Sequence, residues 1–116
     1  MKKILVLMTL VSSVLLAKGM GDILEVRIEN ELKTKNIIQT STHKVDYDID
    51  VYENQMNLEI EFDGVKEPKL DYSNIALEAV TASRKVAPDL ENIHVVIKFD
   101  PMIGKDKILF SKTYIK

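Results

Sequence analysis

Between residues 45 and 63 the chain carries seven acidic residues and no basic one. Five of them, Asp46, Asp48, Asp50, Glu59 and Glu61, recur at every second position within two short segments. Carboxylates so arranged could attract a basic partner, ligate a hard cation, or act as an acid and base pair in hydrolysis. Each chemistry sets its own geometric demand. Calcium takes six to eight oxygens at about 2.3–2.6 Å around a sharp glycine turn. Asp46, Asp48 and Asp50 have calcium-loop spacing but no such glycine, and an extended strand sets alternate side chains roughly 6.6 Å apart. No metal ligand set is therefore assigned.

Hydrolysis by paired carboxylates needs a cleft and one carboxyl with a raised pKa. A small sheet with one helix rarely builds a deep cleft, so no catalytic residue is assigned and the chain reads as non-enzymatic. Other chemistries lack their residues. There is no cysteine, which removes thiol catalysis and thiolate-bound metal. His43 and His94 are remote in sequence; His43 could join Asp46 only if the fold brought ligands together, and both read as surface residues. No serine lies in a nucleophile elbow. Gly104-Lys105 lacks the glycine spacing of a phosphate-binding loop and reads as part of a hairpin loop. No cofactor is expected.

The elements that position these carboxylates are set by periodicity. Val45, Tyr47, Ile49 and Val51 alternate with Asp46, Asp48 and Asp50. After Glu53-Asn54, Met56, Leu58, Ile60 and Phe62 alternate with Asn57, Glu59, Glu61 and Asp63. Two period-two runs joined by a two-residue polar turn predict a β-hairpin. Its register pairs Tyr52 with Gln55, Asp50 with Asn57, Asp48 with Glu59 and Asp46 with Glu61, all on the outer face. Tyr52 shares that face beside the turn, as a contact anchor or as cross-strand cover for the hairpin end.

Upstream, Leu24, Val26 and Ile28 alternate with Glu25, Arg27 and Glu29, which predicts a strand that could run to Leu32. Ile37–Thr42 is β-prone and is read as the start of the second strand. Downstream, Asp71 or Ser73 can cap a helix with its body at Ile75–Val86, ended by Pro88. Bulk comes from Ile75, Leu77, Val80 and Val86, while Ala76, Ala79, Ala82, Ser83 and Ala87 allow close approach to a sheet. Ile93–Phe99 is another alternating strand, and Lys107–Ile115 is the last, with Ile108 and Phe110 facing inward. The order is β-β-β-α-β-β: an α+β domain, a mostly antiparallel sheet of about five strands with one helix packed on one face.

Like charges directly opposite in the hairpin destabilise it by about 0.2–1 kcal/mol each. Something should offset them. Lys98, Lys107 or Lys112 from the C-terminal strands could do so, since five lysines against two aspartates lie beyond residue 93. A basic partner or a divalent cation are the other candidates.

The N-terminus has the features of an export leader. Met1-Lys2-Lys3 is a positive n-region, and Ile4 to Ala17 is an uncharged run of about 14 residues, shorter than a membrane span. Ala17 and Gly19 place small residues at positions −3 and −1, so cleavage is expected after Gly19, or alternatively after Ala17. Residues 1–19 are thus read as a signal peptide, residues 20–116 as one domain, and the location as periplasmic or secreted. Removing Lys2, Lys3 and Lys18 takes the 16 basic residues to 13 against 18 acidic ones, a net charge of about −5. That balance argues against nucleic acid and against docking on anionic lipid, and no stable membrane anchor is expected after cleavage. The expectation is an exported interaction module. Its binding residues are Asp46, Asp48, Asp50, Tyr52, Glu59 and Glu61, and its partner is a basic protein or peptide. A divalent-cation or small-ligand binding protein using the same hairpin face is the alternative. Unpaired sheet edges also leave room for a homodimer.

Overall fold

The computed structural model describes the backbone of residues 13–116 and the side chains of residues 21–116. Most of the expected leader therefore lies outside the described residues. The element order is α1 (Ser13–Lys35), β1 (Lys44–Tyr52), β2 (Gln55–Gly64), α2 (Tyr72–Val86), β3 (Asn92–Pro101) and β4 (Lys107–Ile115). The protein is α+β, with four strands and two helices among the described residues rather than five strands and one.

The difference lies at the N-terminus. The segment expected to be the first strand is the C-terminal half of α1. Leu24, Ile28 and Leu32 recur every four residues, so they share one side of a helix; Ile28 and Leu32 are fully buried, whereas Val26 points to water. Leu24 and Ile28, four apart, satisfy both a two-residue and a helical period, Val26 fits only the first, and the charged residues after Ile28 favour the helix. Glu29 and Lys33 pair at 2.7 Å, and Glu31 and Lys35 at 3.7 Å, each one turn apart. Asn36, at φ 50°, ends the helix in the left-handed conformation that asparagine tolerates. Ile37–Thr42, expected to open a strand, is a connection instead; Ile38 is buried within it.

The hairpin has the expected register, from Lys44 opposite Asp63 to Tyr52 opposite Gln55. Glu53 takes the positive φ that its tight turn demands. The sheet order is β1-β2-β3-β4, with β2 and β3 parallel and the outer pairs antiparallel. Parallel neighbours need a crossover, which α2 supplies. Asp71 caps this helix, its side chain accepting from the Asn74 N–H at 3.1 Å. Ile75, Ala76, Ala79, Val80, Ala82 and Ser83 are its buried stripe, while Leu77, expected to add bulk, is exposed. The buried Ser83 hydroxyl is satisfied by donating to the Ala79 carbonyl at 2.7 Å. At the other end, Arg84 donates to the carbonyls of Leu90, Glu91 and Tyr114.

The core lies between the helices and one sheet face. Met56, Leu58, Ile60 and Phe62 of β2 and Ile93, Val95, Ile97 and Phe99 of β3 are all buried there. α1 packs on α2 and β1, and α2 packs on β3 and β4. Between β3 and β4 the register shifts after Ile97: Ile97 faces Phe110 and Lys98 faces Ile108, so Leu109 of β4 is the extra residue of a bulge. That slip turns Ile108 outward, where it is 61% exposed, against the inward placement expected of it. Among the described residues, no helix is long and apolar enough to cross a membrane.

Helix and strand make opposite demands on the 24–32 segment. Ile28→Ala and Leu32→Ala should each destabilise the protein by about 2–5 kcal/mol, as buried truncations do. Val26→Ala should stay within about 0.5 kcal/mol, as at exposed positions. Urea unfolding monitored by circular dichroism measures all three; a large effect at Val26 would restore the strand.

Candidate functional site

Period-two alternation sends one set of side chains to the helices and the other to the opposite sheet face, which no described element covers. The outer row of β1 is Asp46, Asp48 and Asp50, all exposed. Beside it, Asp50 pairs with Asn57, Asp48 with Glu59 and Asp46 with Glu61. The parallel neighbour then sets Asn57 beside His94, Glu59 beside Val96, Glu61 beside Lys98 and Asp63 beside Asp100. A shallow depression of about 450 Å3 on this face is lined by Asp48, Asp50, Asn57, Glu59, His94 and Lys98, among others.

Cations enter this field at two points. Lys98 meets Glu59 at 2.5 Å, and Lys44 approaches Asp46 at 3.9 Å. The hydrogen bond and charge of Glu59 raise the pKa of Lys98. The other lysines considered for this role lie elsewhere. Lys107 pairs with Glu67 at 2.8 Å, and Lys112 sits 5.0 Å from the Tyr114 ring centroid. Asp48 and Asp50 have no ion-pair partner among the described residues.

Tyr52 is half-exposed at the hairpin end and donates to Gln55 Oε1 at 3.2 Å, across its own strand pair. His94 lies on the open face, its Nδ1 2.7 Å from Thr113 Oγ1. His43 is not on that face. Its ring stands edge-on to Phe62 and Phe99 at 6.2 and 6.1 Å, with its nitrogens engaged by Thr42 Oγ1 and the Lys66 carbonyl. It therefore packs as a structural side chain rather than joining Asp46.

The densest negative charge is at the end of the sheet away from the hairpin turn. Oxygens of Glu61, Asp100 and Asp106 lie within 4.8 Å of one another, and Asp63 adjoins Glu61. Desolvation first, then a hydrogen bond with Asp63 and the charges of Asp63, Asp100 and Asp106, push the Glu61 carboxyl up to about 7. A hydrogen bond with Asp100, followed by desolvation and the charge of Asp100, raises Asp106 as well. Among the described residues, Asp63 Oδ1 is buried without a hydrogen-bond partner. Periodicity alone could not find this cluster. Asp63 and Asp100 become neighbours only through the parallel pairing, and Asp106 arrives from the β3–β4 connection.

No protein-family model matches the chain, and a search of curated proteins finds no match to it.

A carboxyl whose pKa is raised by folding favours the native state while protonated. Its contribution is complete below the unfolded value and disappears as pH rises through the folded one. Melting temperature should therefore fall as pH is raised from 4.5 toward about 7. Glu61→Gln should flatten that slope and melt higher than the unsubstituted chain at alkaline pH. Calorimetry across this range would detect an unchanged slope, which would contradict the assignment to Glu61.

Proposed function

We propose that the chain is a small exported, non-enzymatic interaction module, periplasmic or secreted, whose open acidic sheet face binds a basic protein or peptide. The observation that carries this reading is the exposed row Asp46, Asp48 and Asp50, of which only Asp46 has a cation within ion-pair distance among the described residues. Like charges packed on one strand and facing Glu59 and Glu61 are unfavourable in isolation, and a cationic partner relieves that repulsion. Tyr52, at the margin of the same face, supplies aromatic contact area. The export reading rests on the leader-like residues 1–19. Cleavage after Gly19 would leave Ile28, Leu32 and Glu25 in place on the remainder of α1.

The test is capture from a cell-envelope extract by the immobilised chain, with a second immobilised form carrying Asp48→Lys and Asp50→Lys. A salt-sensitive partner retained by the first and lost from the second is the expected result, because exposed charge pairs weaken as ionic strength rises. Undiminished capture by the charge-reversed form would remove the acidic face from the interaction.

A second reading, divalent-cation binding, is favoured by one specific observation: the convergence of Glu61, Asp100 and Asp106 beside the unpaired Asp63 oxygen. Oxygen ligands at that density suit a hard cation. The locus differs from the hairpin row, where strand geometry spreads the aspartates. Saturation to 100 times the dissociation constant should add about 2.7 kcal/mol of stability. Thermal melts in calcium, in magnesium and in chelator measure it. Coincident melts at millimolar ion would exclude this reading.

A further inference from the structure

We propose that β4 is a strand-addition site for an extended acidic segment of a partner protein. This is independent of the open-face reading, since it uses a different border of the molecule and the opposite charge.

The two borders of the sheet are treated differently. At β1, the Glu25 carboxylate accepts from the outward Val51 N–H at 2.9 Å. Gly21 lies so close that a Cβ there would stand 3.1 Å from the Val51 carbonyl. Helix α1 therefore closes part of that border. β4 pairs with β3 alone, so one row of its N–H and C=O groups faces outward, a template that an extended chain completes. The stretch from Lys107 to Thr113 stays open among the described residues.

The side chains along this border specify the occupant. On the helix side stand Lys107, Phe110, Lys112 and Tyr114, opposite Phe99, Ile97, Val95 and Ile93. Their β3 partners are buried, but Phe110 and Tyr114 are only half-buried, so an added strand would complete their cover. Lys112 is exposed and has no carboxylate within ion-pair distance among the described residues.

Charge disfavours a second β4 as the occupant. Residues 107–116 contain Lys107, Lys112 and Lys116 and no carboxylate. Antiparallel pairing of β4 with another β4 doubles those cations on one narrow ribbon, which is unfavourable. On the acidic strand β1 of a second copy, the outward Val51 N–H at the hairpin end is already taken by that copy's own Glu25. An extended segment with acidic side chains at alternate positions places one beside Lys112 and its backbone on the open ladder, while Lys107, held by Glu67 at 2.8 Å, adds to the positive border.

The experiment titrates the full isotope-labelled chain with three capped probes. These are Glu-Val-Glu-Val-Glu-Val-Glu, its lysine counterpart, and the acidic sequence N-methylated at alternate residues to remove ladder donors. Binding of the acidic probe should slow amide exchange in β4, with an affinity about tenfold above the lysine probe. The N-methylated probe should not bind. Lys112→Glu should weaken the acidic probe by about tenfold, and raising salt on the unsubstituted chain should weaken it in the same direction should that variant not fold. Three results would overturn the proposal: no binding by any probe, equal binding by the N-methylated one, or protection confined to β1 or the open face. Concentration-dependent protection of β4 without peptide would also overturn it, by assigning the border to a second copy.

Discussion

The in-register parallel contact between β2 and β3 is the constraint on which the architecture depends. It brings Met56, Leu58, Ile60 and Phe62 alongside Ile93, Val95, Ile97 and Phe99, and every one of these side chains is buried. Parallel neighbours cannot be joined by a tight turn, so the connection must cross a face of the sheet. Its helix can lie close because its inner stripe is mostly alanine and serine. Once that face is chosen, α1 covers the remaining ground over β1, and the opposite face is left to water. Without disulfides, this single apolar layer and its strand pairing carry the stability of the domain.

The same contact fixes the electrostatics of the uncovered face. In a parallel pair, equivalent positions of the two strands stand side by side, which places Glu61 beside Lys98 and Asp63 beside Asp100. One of these juxtapositions is favourable and the other is not. Lys98 leans to Glu59, one step along the strand, and the charge left around Glu61 is moderated by carboxyl–carboxyl hydrogen bonding. Neutralisation is thus local and partial. It is strongest in the middle of the face and weakest along the exposed aspartates of β1.

Much of this was legible from residue order. The hairpin register, the Asp71 cap and the helix over residues 75–86 obey local rules: strict alternation, a two-residue turn, and a side-chain oxygen placed before an apolar stripe. The difference at α1 has a physical origin, because the spacing of Leu24, Ile28 and Leu32 fits two periods at once. Only the Glu29–Lys33 and Glu31–Lys35 pairs further on favour the helix. Ile108 faces outward because a bulge at Leu109 shifts the alternation by one, and no residue type announces it. The Glu61, Asp63, Asp100 and Asp106 cluster joins segments about 40 residues apart through a crossover, a relation that alternation within either strand does not encode.

The guanidinium of Arg84 has a mechanical consequence. Its contacts with the carbonyls of Leu90, Glu91 and Tyr114 rivet the end of a helix, the loop beyond it and the final strand at one point. Charge-assisted bonds of this kind outlast ordinary neutral ones. Chain ends usually fray first. Here β4 peels away from Tyr114 only by breaking a contact of the same guanidinium that holds the end of α2 and the loop beyond it, so fraying there is resisted.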